Sequence, residues 1–277
     1  MRKLVSVFLI FIFISFFISC ESNPGANKED DTIRVHSSEL SDILAGLDVN
    51  TEDNPYKVIV FEPVCEEIKE ALNLNYMKFI NLSFEDCEGF TEIKEKTFQG
   101  CKNLVNIEIP YGVVDIGNNA FVGCTFLKSI KIPEGVISVG KSAFSFCPGL
   151  EKLKIPDSVT SIGDGAFSAS PNLKTVVLPK YMKVLKTGVF QLCSCLEEVV
   201  LPDELEIIED SAFVNCYNLR TIVFPEGLKT LGYFSAAISL MDIYYRGSEE
   251  QWYKIQKQYD WEKDFPKGHK FHFNYKD

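Results

Sequence analysis

Histidine, tryptophan and methionine are scarce in this 277-residue chain, which holds three, two and four of them. His36 stands alone near one end, and the His269-x-x-His272 pair has no carboxylate at ligand spacing beside it, so no metal site is expected. Cys65, Cys87 and Cys195 have no C-x-x-C partner, which leaves zinc and thioredoxin-type chemistry without support. Phosphate loops, G-x-S-x-G elbows and H-E-x-x-H helices are missing. Acidic pairs such as Glu66-Glu67 and Asp30-Asp31 read as solvated surface, whereas glycoside cleavage needs two carboxylates facing each other in a cleft. The expectation is a chain that is not an enzyme and takes no cofactor. Positive charge is also short: 28 Lys and Arg against 39 Asp and Glu leave a formal charge of −11. Such a surface repels phosphate backbones, so nucleic acid is not an expected partner. Apolar content of 46% and charge of 24% are ordinary for a folded protein and exclude wholesale disorder.

Only one long apolar run is present. Arg2 and Lys3 precede Leu4 to Ile18, a stretch broken only by Ser6 and Ser15. That length is short for a transmembrane helix and normal for an export signal. Its end, Phe17-Ile18-Ser19-Cys20, resembles a bacterial lipobox, with Phe17 where the pattern prefers leucine, as in relaxed spirochaete-type versions. The resemblance implies a signal peptide over residues 1–19, lipidation at Cys20 and anchoring in the cell envelope, at the outer membrane or cell surface. Contact with membrane would then run through the lipid alone. The alternative is a plain secretory peptide with a coincidental cysteine. Residues 20–37 are assigned to a tether, since Glu21 to Thr32 is polar and aperiodic.

The strongest signal is self-similarity at one offset. Phe98, Phe121, Phe144, Phe167, Phe190 and Phe213 are spaced by 23, as are Leu104 to Leu219 and Pro110 to Pro225. Three ladders of six mark a repeat array over residues 98–232. Within a unit, Ile107 and Ile109 have the spacing of a short strand with one buried face, and Pro110 ends it by removing a donor. Apolar positions three apart follow on a coiled return path, where Gly117, Gly140 and Gly163 are read as its tightest bends. Stacking the coils buries the ladders continuously, so the phenylalanines are read as core. Cys101, Cys124, Cys147, Cys193 and Cys216 share one place with Ser170, a small tolerant slot. Adjacent rungs lie within disulfide reach, but the serine gap makes poor pairs, and buried free thiols are the favoured reading.

The array needs covered ends. Residues 38–97 are assigned to an N-terminal cap: a helix carrying Leu40, Ile43, Leu44 and Leu47 with Ser38 as N-cap, a strand over Lys57–Phe61, a helix with Val64, Ile68, Ala71 and Leu72, and a strand with Ile80, Leu82 and Phe84. A degenerate repeat would align Phe84 with Ile107 and Ile93 with Ile116. Residues 233–277 form the C-terminal cap: a strand over Leu240, Ile243 and Tyr245, a helix opened by a Ser248–Gln251 capping box and bearing Trp252, Ile255 and Tyr259, and a closing strand with Phe271, Phe273 and Tyr275.

The unit L-x-x-I-x-I-P-x-x-V-x-x-I-x-x-x-A-F-x-x-C-x-x-L resembles the BspA-like leucine-rich repeat of bacterial surface lipoproteins, over roughly half the chain. That resemblance implies a mainly β fold with short helices: a right-handed leucine-rich-repeat solenoid with an α/β N-terminal cap and a helix-strand C-terminal cap. It also implies protein binding, through adhesion to host matrix, host cells or another bacterium, with no catalytic residues to carry over. A periplasmic structural or assembly lipoprotein binding a self component is the alternative.

In such a coil the outward strand residues form the concave wall. Here they are Asn106, Glu108, Ser129, Lys131, Lys152, Lys154, Thr175, Val177, Glu198, Val200, Thr221 and Val223. Early rungs give a basic stripe with Lys128 and Lys174, and later rungs an exposed stripe of Val177, Val200 and Val223. Charge beside an exposed apolar strip reads as an interface. The same residues also suit any solvated sheet face.

Overall fold

The computed structural model describes residues 32–61, 65–85, 88–233, 239–257 and 267–276; residues 1–19, expected to be an export signal, Cys20, Val64 and Tyr259 lie outside them. The first elements are β1 (Thr32–His36), a 3-10 turn over Ser37–Glu39, α1 (Leu40–Gly46), β2 (Tyr56–Phe61), α2 (Cys65–Leu74) and β3 (Ile80–Glu85). From there each coil gives one strand to a first wall: β5 (Leu104–Glu108), β7 (Ser129–Lys131), β9 (Lys152–Lys154), β11 (Thr175–Val177), β13 (Glu198–Val200), β15 (Thr221–Phe224), β17 (Asp242–Tyr245) and β19 (Lys270–His272). Two-residue strands make a second wall: β4 (Glu92–Ile93), β6 (Asp115–Ile116), β8 (Ser138–Val139), β10 (Ser161–Ile162), β12 (Val184–Leu185), β14 (Ile207–Ile208), β16 (Thr230–Leu231) and β18 (Gln256–Lys257). Pairing is parallel within both walls, and the registers repeat the sequence period, for example Glu108 with Lys131 and Val177 with Val200. The fold is a leucine-rich-repeat solenoid.

Local chemistry explains each corner. The prolines that end the first-wall strands offer their carbonyls to the N–H three residues on, from Val113 to Pro110 at 3.3 Å through Leu228 to Pro225 at 3.2 Å. Each proline therefore stops the strand and opens a turn. A third wall of successive turns is also knitted between coils: Phe121 N–H donates to Ala143 at 2.7 Å and Phe144 N–H to Ala166 at 2.7 Å. Inside it the six phenylalanine rings stack with centroids 5.1, 5.0, 5.4, 5.8 and 5.7 Å apart, all fully buried. Each such burial stabilises by roughly 1.5–3 kcal/mol.

The cysteine slot is more than small. Cys124, Cys147, Cys193 and Cys216 donate their thiols to the carbonyls of Phe98, Phe121, Phe167 and Phe190 in the preceding coil, at 3.1–3.2 Å. Ser170 does the same to Phe144 at 3.4 Å, so the position selects a compact side chain with a donor. The thiols are free, and burial pushes Cys101, Cys147 and Cys193 up to about 12, which keeps them protonated and inert.

Glycine does more than turn the chain. Gly117, Gly140 and Gly163 do open turns, their carbonyls accepting from Ala120, Ala143 and Ala166 at 3.2–3.3 Å, but the need for glycine is elsewhere: a Cβ there would stand 2.5–2.6 Å from a backbone nitrogen of the preceding coil. They permit close stacking. Where Lys186 takes this place the second wall splits, β10 and β12 falling in separate sheets, whereas Glu209 takes it with β12 and β14 still paired. Gly163 N–H still reaches Val139 O at 2.8 Å, but no equivalent bond joins Lys186 to Ile162, and the nearest phenylalanine spacing is the widest, 5.8 Å.

Several local expectations are corrected. The tether was expected to reach residue 37, yet Thr32–His36 pairs with β2 as the edge strand and Ser37 is buried. Ser38 is not an N-cap: it lies inside the 3-10 turn, whose cap is the His36 ring accepting from Ser38 N–H. Leu82, not Phe84, pairs with Ile107, because the offset is already 24 at Ile80–Leu104 and the bulged Val105 adds one more; Ile93 pairs with Ile116 as expected. Leu240 is buried ahead of β17, not within it. The capping box at Ser248 and Gln251 forms, but α3 (Glu249–Lys254) ends with Ile255 extended, and the chain joins the second wall as β18. The closing strand stops at His272, since Asn274 turns left-handed at φ 52°, placing Phe273 and Tyr275 beyond it.

Gly140→Ala is expected to destabilise by about 1–3 kcal/mol, as overpacking against backbone does. Gly46→Ala, in a helix with open space around it, should be neutral or stabilising by up to about 1 kcal/mol. Denaturant midpoints of the two variants check this, and equal losses would contradict the close-stacking reading.

Candidate protein-binding wall

The outward side chains of the first wall form two columns, because successive strands hold the same register. One column carries Asn106, Ser129, Lys152, Thr175, Glu198 and Thr221; the other carries Glu108, Lys131, Lys154, Val177, Val200 and Val223. The strands β7 and β9, and β13 and β15, lie side by side, so each column crosses the whole array. All twelve residues thus share one face, between inward residues such as Leu153, Val176 and Val199.

Exposure divides them. Val177 and Val200 are 46% and 52% exposed, and Glu108, Ser129, Lys131, Lys152, Lys154, Glu198 and Thr221 are exposed. Val223, expected to be exposed with the other two valines, is half-buried beside the larger Tyr244 on the next strand, and Asn106 and Thr175 are half-buried too. The columns also run further than the period suggested. Asn81 precedes Asn106, and Asp242 with Lys270 and Tyr244 with His272 follow Thr221 and Val223. There the rings of Tyr244 and His272 stack at 4.4 Å, and Tyr275 lies 4.5 Å from Tyr244. His272 Nε2 is 2.9 Å from Asp242 Oδ1, so this histidine does have a carboxylate, brought to it by a strand register that 30 residues of sequence conceal. Among the described residues no three His, Cys, Asp or Glu groups come together as a metal site.

Charge is paired in part on both walls. On the second wall Lys186 pairs with Glu209 at 2.8 Å and Lys229 with Glu206 at 2.6 Å, while Lys183, at the same place in its coil as Lys229, makes no ion pair among the described residues. On the first wall Lys128 is held by Asp53 at 3.0 Å and Glu52 at 3.7 Å, and the hydrogen bond to Asp53 raises its pKa. Lys131 lies 3.7 Å from Glu108. Among the described residues, Lys152, Lys154 and Lys174 make no ion pair. Lys131 and Lys154 face outward on neighbouring strands, where like charges oppose folding. The stack tolerates this cluster without using it.

A shallow apolar groove of about 800 Å³ crosses the third wall, between Val122, Phe146, Pro148, Leu192 and Tyr217. Phe146 and Leu192 project from left-handed positions at φ 57° and 65°. Their N–H groups bond to the carbonyls of Ser168 and Val214 in the next coil, so neither residue offers a ligand its backbone donor.

The repeats match the family model for the BspA type leucine rich repeat region in six copies, over residues 66–196 and 114–240. The chain belongs to this BspA-type family. No curated protein matches it. Among solved structures, a leucine-rich repeat protein from Bacteroides ovatus is 26% identical over 63% of this chain, with a TM-score of 0.44, and this chain spans only 57% of its length. A T. pallidum leucine rich repeat protein is 32% identical, covering 51% of this chain and 78% of its own, at a TM-score of 0.42. A leucine rich cell surface protein from Faecalibacterium prausnitzii is 21% identical, covering 81% and 86%, at 0.46. Among the described residues of this BspA-type chain, no helix is long and apolar enough to cross a membrane.

Lys154→Glu is expected to stabilise the fold by about 0.2–1 kcal/mol at low salt, by placing a carboxylate beside Lys131. A thermal melt checks the sign, and a loss of stability would mean that Lys154 serves the fold.

Proposed function

We propose that this chain is a non-enzymatic cell-envelope lipoprotein, anchored through Cys20, that uses the outward face of its first wall to bind proteins and so adheres to host or partner-cell surfaces. The observation that carries the reading is the cluster of unpaired lysines beside exposed Val177 and Val200, on strands whose backbone groups are bonded to their neighbours. A rigid backbone presents these side chains at fixed spacing, which lowers the ordering cost of binding. An exposed apolar strip next to charge is the composition of an interface rather than of a solvated sheet. The cell-surface description of the family and of the F. prausnitzii neighbour supports outward display.

The test is adhesion of beads coated with the purified chain to cultured host cells and to immobilised matrix proteins. Val177→Asp with Val200→Asp should cost no more than about 1 kcal/mol of stability, since both sites are about half exposed and only the like charges across the pair oppose folding, yet weaken adhesion about tenfold or more. Unchanged adhesion by the double variant discards the wall as the binding face. Protease treatment of intact cells reads the orientation: cleavage fits display, and protection points to an inward-facing assembly role.

A further inference from the structure

We infer that the partner of the first wall is a protein segment with a short acidic cluster followed closely by bulky apolar side chains, lying along the stacking axis; this rests on that wall being the binding face. The order of the outer column sets the polarity, from Lys131 and Lys154 to Val177, Val200 and the Tyr244–His272 stack. Lys152 stands two residues before Lys154 on the same strand, and neither makes an ion pair among the described residues. Six ammonium N–H groups are thus offered at one place, and carboxylates complement them. Strands are spaced by about 4.8 Å, so the step from Lys154 to Val200 spans about 10 Å, the reach of about three extended residues. The strand backbones are bonded to their neighbours, so recognition runs through side chains and not through strand addition.

Net charge narrows the class further. With a formal charge of −11, the molecule repels a long polyanion, whose outlying charges would meet Glu108, Glu198 and Asp242 in the same columns. A short acidic cluster meets only the lysines, and the apolar residues after it gain the burial that Val177 and Val200 provide. That separates an acidic–apolar protein segment from sulfated polysaccharide or nucleic acid.

The test is selection of a random 16-residue phage-displayed peptide library on the full chain, with depletion on the folded Lys152→Glu, Lys154→Glu, Val177→Asp, Val200→Asp variant. Enriched peptides should carry acidic residues within about three positions of apolar ones. As synthetic peptides they should lose about tenfold in affinity on the two lysine reversals alone and about tenfold on the two valine replacements alone. Heparin, as a polyanion probe, should not displace them. Enriched peptides without acidic residues, or peptides that need the valines but ignore the lysine reversals, overturn this inference and leave the wall reading standing. Displacement by heparin with no dependence on the valines also overturns it. If nothing is enriched over the depleted variant, or all four substitutions are without effect, both readings fail.

Discussion

A coil of this chain can bury its apolar side chains only against the next coil, and only at one strand spacing. The stacked phenylalanine rings, the thiol-to-carbonyl bonds and the glycines under neighbouring backbone all express that single distance. Each device reports on it in a different way. The glycines set how near two backbones come, the rings fill the space that remains, and the slot held by cysteine or serine ties each turn to the carbonyl behind it. The array also shows what relaxing the constraint does. At Lys186 a side chain stands where glycine stood, the second wall opens and the ring spacing grows, while the third wall stays bonded through Phe167 N–H to Val189 O at 3.0 Å. A local break is tolerated because the other walls hold the register.

Function is built on the surface this constraint leaves over. The inward residues of the first wall are committed to the core, and the strand backbones to one another, so only the outward columns are free to vary. Their sequence changes character along the axis, from amide and hydroxyl groups bonded to each other near Asn81 and Asn106, through lysine, to valine and stacked aromatics. On the second wall two lysines pair with glutamates. On the first wall Lys152 and Lys154 stand together on one strand beside exposed Val177, an arrangement that a partner explains better than the fold does.

The period made most of this legible. The phenylalanine, leucine and proline ladders, the strand that each proline ends and the membership of the two columns follow from spacing alone. What the period could not show lies where it breaks. Between Thr221 and Asp242 the offset falls to 21, and between Asp242 and Lys270 it grows to 28, so the extension of the columns to Tyr244 and His272 stayed hidden. Between β3 and β5 the offset is 24 before the bulge at Val105 and 25 after it, which moves the partner of Ile107 from Phe84 to Leu82. The bend at Gly140 was legible but its packing role was not, because a glycine that opens a turn and a glycine beneath a neighbouring backbone look alike in sequence. The donor role of the cysteine slot was half visible, since Ser170 could have pointed to a hydrogen bond as readily as to small size.

The most direct test is to excise one coil. Deleting residues Ser138–Thr160, one period of 23, should leave a chain that still unfolds in a single cooperative transition, since every ladder closes up in register. Deleting one residue fewer turns the following strand's outward side chains inward and should abolish that transition. Equal behaviour of the two deletions would contradict stacking in register.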